Sequence, residues 1–197
     1  MFKRVFFLGA LTLLLACCCF ALRVSLEQRA LAGRLIRLHV VAASDDPADQ
    51  ARKLRVRDAL LPRIEALTAA CHDARSAETA LRAGLPELER LAAETLATGE
   101  PVRASLERER FPRRDYDSFS LPAGVYRALR ITLGRGEGHN WWCVAFPALC
   151  LPASEDFREA ALSAGLFPEQ IELMQPERSG VQIKFRLLEW LSEAFAP

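Results

Sequence analysis

The sequence predicts a single α+β domain, with an antiparallel or mixed sheet and helices, behind an amino-terminal signal or anchor segment. Three observations predict it. The chain opens with an uncharged apolar run just after its first two basic residues, the stretch from Pro47 to Gly99 repeats apolar residues at helical spacing, and the part beyond Pro101 turns to alternation with period two.

Met1-Phe2-Lys3-Arg4 carries two positive charges, and Val5 to Leu22 follows with 18 residues and no charge. The first acidic residue is Glu27. A basic start before an apolar run is the layout of a signal peptide or an uncleaved anchor. A membrane span takes about 17–25 apolar residues, so the run is at the short end. The preceding charges hold the amino terminus inside and send the remainder across. A buried core helix fits less well, because such helices are apolar on one side. Leu14-Leu15-Ala16-Cys17 loosely resembles a lipoprotein processing site, and Ala16 and Ala21 suit an ordinary signal peptidase. Cleaved, lipidated and anchored forms are all compatible with the segment. We divide the chain into residues 1–22 as signal or anchor, 23–33 as a charged linker and 34–197 as the exported domain.

The 175 residues after Leu22 suffice for one domain with a sizeable core. Removing Lys3 and Arg4 from the 26 basic residues leaves 24 against 25 acidic, a formal charge of −1. That balance lacks the basic footprint of a nucleic-acid binder. An exported chain can oxidise cysteines; Cys143 and Cys150 are the natural pair, with Cys71 the odd thiol.

Ile36, Leu38, Val40 and Ala42 alternate as one buried face of a strand. Asp46 before Pro47 marks a helix start, and Val56, Leu60, Ile64 and Leu67 give that helix its apolar face. Pro62 should kink or divide it. A second helix starts near Ser76, is interrupted at Gly84-Leu85-Pro86, and stops at Gly99. Val102 to Glu109 alternates as a half-exposed strand, ended by Phe111-Pro112. Val125 to Leu133 is the next strand, pairing with it across a long connection into which Tyr116 and Phe119 pack. Gly134 to Gly138 is a mobile connection to an aromatic strand, Asn140 to Phe146. In the tail, Ser154 and Asp156 cap a helix over Phe157 to Ser163, Val181 to Phe185 alternates as a last strand, and Arg186 to Phe195 closes as a helix.

Few residues suggest catalysis. Gly134-x-Gly-x-Gly138 lies between strands, with His139-Asn140 where a phosphate loop needs lysine, so a strand connection explains it better. His139 and Cys143 are about 13 Å apart along a strand and lack an orienting third group. His39 reads as a hydrogen-bonded sheet residue, and His39, His72 and His139 show no paired ligand spacing, so no metal or cofactor is expected. Asp45, Asp46 and Asp49 are assigned to capping the following helix. Trp141 and Trp142, being adjacent in a strand, point to opposite faces. Either a helix covers the second face and both indoles are core, or one of them belongs to an interface.

Ile36 to Asp45, continuing to Gln50, Lys53 and Val56-Arg57-Asp58-Ala59, resembles the opening of the stage II sporulation protein R family. Phe111-Pro112-Arg113, Tyr116, Leu121 to Arg130 and the block from Gly134 to Cys150 resemble it more specifically, above all Asn140-Trp141-Trp142-Cys143. His139 and Ala148 are mild departures, and Val181 to Glu189 is similar to the family's closing segment. The resemblance implies a protein made in the forespore and exported into the space between forespore and mother cell, or anchored at the membrane facing it. There it would activate a membrane-embedded aspartic protease that processes a mother-cell sigma-factor precursor. It implies a signal and no catalytic residues. Exposed-aromatic reasoning places the protease contact at Trp141, Trp142 and Phe146, with Asn140, Gly136 and Gly138 beside them. The alternative is an exported cell-wall or peptide hydrolase using Cys143 and a histidine.

Overall fold

The computed structural model describes residues 2–116, 119–149, 161–163 and 165–174. Helix α1 spans Phe2–Ala32. Within Phe6–Ala32 an 18-residue window has a mean hydropathy of 2.2, and the helix is long and apolar enough to cross a membrane. Phe6, Phe7, Leu13 and Leu14 stand exposed. Residues 23–32, expected as a linker, continue the same helix. Their charges lie outward, with Arg23 and Glu27 paired at 3.3 Å. Val24 and Leu31, two turns apart, are buried. The Gln28 amide donates to the Ala123 carbonyl, and Arg127 donates to the Gly33 carbonyl at 2.8 Å. Charge made this stretch look solvated, but on a helix the charges and the apolar residues separate onto different faces.

The sheet is mixed, as the sequence allowed. Strands β1 (Ile36–Val41), β2 (Val102–Phe111), β5 (Gly124–Leu133) and β6 (Asn140–Phe146) lie in the order β2-β5-β1-β6. β1 runs parallel to β5 and antiparallel to β6, and β2 runs antiparallel to β5. Being central, β1 is buried along its whole length. By register, Leu38, Val40, Leu129, Ile131 and Trp141 share one face, and Arg37, His39, Ala128, Arg130 and Trp142 share the other.

Helices α2 (Pro47–Thr68) and α3 (Ala74–Leu96) cover the first face. Val56, Leu60 and Ile64 of α2 and Ala77, Leu81 and Leu88 of α3 are buried in the core. Neither helix is divided at its proline, and the expected interruption at Gly84-Leu85-Pro86 does not occur. A Cβ on Gly84 would sit 2.7 Å from Leu67 Cδ1, so the missing side chain lets the two helices approach. Their packing carries α3 through the weak point. α3 starts with a capping box between Asp73 and Ser76.

On the second face, Arg114–Asp115 (β3) pairs with Ser120–Leu121 (β4), and Tyr116 stacks on Phe119 with centroids 4.5 Å apart. Residues 161–163 are helical, and α4, Pro168–Met174, follows with Ile171 and Met174 buried. The sequence pattern did not reveal α4. The expected strand at 181–185, the closing helix at 186–195, and Cys150, Ser154 and Asp156 lie outside the described residues.

Candidate functional site

β5 and β6 flank β1 on opposite sides, so residues 134–139 must arch over the end of β1. This crossing explains the glycines. Gly134 and Gly136 have φ of +55° and +67°, a region that disfavours side chains. A Cβ on Gly138 would lie 2.1 Å from the Ser44 carbonyl oxygen. The expected mobile connection is instead tied down. Glu137 N–H donates to Ala43 O at 3.3 Å and Gly138 N–H to Ala42 O at 3.0 Å. His139 N–H donates to Asp45 Oδ1 at 2.6 Å, and its ring Nδ1 lies 2.5 Å from the same oxygen. Lys53, buried on α2, donates to the His139 carbonyl at 2.9 Å and to Gln50 Oε1 at 2.6 Å. The His139 contacts hold the Asp45 carboxyl below its ordinary range, and burial lowers the Lys53 ammonium.

Asp46 is the N-cap residue of α2 but makes no side-chain cap bond. Asp45 anchors the loop, and Asp49 accepts from Ser44 Oγ at 2.6 Å and Arg52 at 2.6 Å. Asp45 and Asp49 are therefore engaged elsewhere than in the capping read from the sequence, and Asp46 holds the cap position without a side-chain cap bond. The partners of Asp45 and Asp49 are distant in the chain or set by the turn, so spacing does not reveal them.

The second sheet face carries polar and aromatic groups. The His39 ring lies between the Glu109 carboxylate, at 2.8 Å, and Asn140 Oδ1, at 2.8 Å. Arg130 also reaches Glu109, at 2.9 Å. His39 is thus the hydrogen-bonded sheet residue expected. Beside it Arg37 is fully buried. Its Nε donates to the Cys143 carbonyl at 3.0 Å and its Nη2 to the Tyr116 hydroxyl at 2.8 Å, while Nη1 has no partner. The guanidinium lies 4.4 Å from the Phe111 ring centroid and 5.2 Å from that of Tyr126. Desolvation lowers its pKa, and burial raises that of Tyr126.

The indoles go to opposite faces, and both are half-buried. Trp141 sits under Arg57 of α2, 5.0 Å from its guanidinium. Trp142 lies against His39 and Phe111, with centroids 5.8 and 6.3 Å away, and beneath Arg114 at 5.6 Å. Asn140 is exposed and held by His39. Phe146 is only 3% exposed, so its ring supports the strand from within the core. Gly136 and Gly138 shape the arch beside Asn140.

Among the described residues here, no nucleophile is paired with a base. Cys143 is buried and disulfide-bonded, and His139 is engaged with Asp45. Cys71 is a free, half-buried thiol. Among the described residues, no three His, Cys, Asp or Glu side chains gather as a metal site would need.

Known sequences bear on this arrangement. The family described as stage II sporulation protein R matches residues 32–156, a stretch that contains the whole sheet, α2 and α3. Stage II sporulation protein R of Bacillus subtilis (strain 168) is 32% identical over 182 residues, covering 82% of this chain and 81% of that protein. No solved structure matches the chain. The glycine arch, the tryptophan strand and the buried face behind it lie within the matched region, and the chain belongs to the stage II sporulation protein R family.

Proposed function

We propose that this protein is an exported signal of endospore formation. It is made in the forespore, carried across the membrane by residues 1–22, and activates a membrane-embedded aspartic protease that processes a mother-cell sigma-factor precursor. The observation that carries the reading is the family match, which runs through the sheet and both covering helices. The apolar amino-terminal half of α1 supports export. A bonded sulfur at Cys143 suits an oxidising compartment, and we assign Cys150 as its partner. Activation requires the signal to bind the active state of the protease more tightly than the inactive one. We place the contact on and around β6, at Trp142 and Asn140, with Trp141, Gly136 and Gly138 adjoining and Phe146 behind.

The test is sigma-factor processing in a strain lacking the gene, with the exported domain supplied between the two membranes. Processing should return with the intact domain and fail when Trp141 and Trp142 are both replaced by alanine in a folded protein. Processing that proceeds without the protein would sink the function. Full activity of the folded double variant would sink the contact surface.

A further inference from the structure

Among the described residues, the second sheet face holds more positive charge than it neutralises. Arg37 is fully buried and meets only a carbonyl, a hydroxyl and aromatic rings; its Nη1 is orphaned. A buried cation normally has a carboxylate partner, because desolvating it alone is costly. None of the described carboxylates takes that role. Glu109 is shared between His39 and Arg130. Asp115 is paired with Arg113 at 3.1 Å, and Glu107, farther along β2, accepts from Ser105 Oγ at 3.2 Å.

Arg114 is exposed and, among the described residues, has no carboxylate within ion-pair distance; its guanidinium lies 5.6 Å over the Trp142 ring. Trp142 in turn packs on Phe111, and Phe111 on Arg37. Two uncompensated cations therefore flank one half-exposed indole, with the buried one behind it, where water and salt screen it least. Exposed Asn140 adds an amide at the rim.

We propose that this face, with Trp142 at its centre and Arg114 and Arg37 as its charges, docks a carboxylate-rich peptide segment of the partner protein. Arg114 makes the direct ion pair, Trp142 supplies the flat apolar floor, and Arg37 contributes its field from beneath. The idea deepens the contact proposed above and rests on that reading for the partner's identity, but the preference for acidic peptide is a property of this chain alone.

Hexaglutamate and hexalysine are titrated into the exported domain at low salt, following tryptophan fluorescence. A Trp142→Phe variant assigns the signal. Hexaglutamate should bind saturably and hexalysine should not. Arg114→Glu should weaken hexaglutamate binding by about tenfold or more, roughly the loss of one charge pair and its replacement by repulsion, while Arg114→Lys stays within about threefold. Raising salt should weaken binding. No hexaglutamate binding, equal hexalysine binding, or an unaltered affinity in a folded Arg114→Glu variant overturns the proposal. If the peptide binds through Arg114 yet the domain triggers no processing, the site stands and the proposed function falls. If the domain triggers processing but ignores hexaglutamate, the reverse holds.

Discussion

Asp45 and His139 illustrate what single side chains do here. They are 94 positions apart, and their contact pins the arch to the end of β1. The Asp45 carboxyl is depressed in the folded protein, first by the His139 side-chain contact and then by its backbone N–H. In the unfolded chain it titrates at the ordinary aspartate value, so the unfolded state takes the proton first as pH falls. The contact's stabilisation is complete above that ordinary value and is lost as pH drops through the lower folded one. Urea midpoints of the exported domain measured between neutral pH and pH about 2 should show this loss. An Asp45→Asn variant should start lower and lack that part of the acid slope. A variant with an unchanged slope would show that Asp45 does not anchor the arch. Gly138 belongs to the same scale. A spacing argument sees a flexible residue there, whereas the nearby Ser44 carbonyl shows that only the smallest residue fits.

Among the elements, α1 differs most from its sequence reading. Composition separates residues 1–22 from 23–33, but the backbone does not, and Val24 and Leu31 belong to the domain. Processing at Ala16 or Ala21 would leave both in place. An exported domain beginning at residue 23 should therefore be fully stable. A Leu31→Ala substitution in it should cost about 2–5 kcal/mol by urea denaturation, the usual range for an emptied buried leucine site. A domain beginning at residue 34 should be weaker still, since it also loses Val24 and the Gln28 contact. Equal stability of the two truncations would mean that the helix base contributes nothing. The sheet edges are guarded by other elements. Glu89 of α3 accepts the Ala104 N–H of β2 at 2.9 Å, and the Tyr116 hydroxyl donates to the Trp142 carbonyl of β6 at 3.2 Å. Such caps blunt strands that would otherwise pair with other chains.

For the molecule as a whole, the described residues form a mixed sheet covered by α2 and α3 on one side and carrying aromatic rings, Arg37 and Arg114 on the other, with no carboxylate among them paired to either arginine. That asymmetry is the one the proposed docking of an acidic segment would use. Bonding Cys143 to Cys150 would close a short loop around the Phe146–Pro147 turn, and the chain-entropy model assigns about 2.5 kcal/mol to it. Intact mass under non-reducing conditions should be lower by two hydrogens than after reduction, and Cys143→Ser with Cys150→Ser should lower the urea-derived stability by about that amount. Two free thiols in the active protein would refute the pairing.

The sequence by itself determined the apolar amino-terminal segment, strands close to those observed at 36–41, 102–111, 124–133 and 140–146, the two helical regions between them, the division of the indoles between faces, and the family. Those features are local patterns of period and charge, or motifs long enough to be specific. Tertiary structure alone decided that β1 is central and parallel to β5, that the glycines form an anchored arch, and that Pro62 and Pro86 leave their helices undivided. It also placed behind Trp142 a buried cation that no carboxylate among the described residues meets. The physical reason is common to all of these. Each depends on which distant residues become neighbours, and neither the Gly138–Ser44 approach nor the setting of Arg37 leaves any mark on local periodicity.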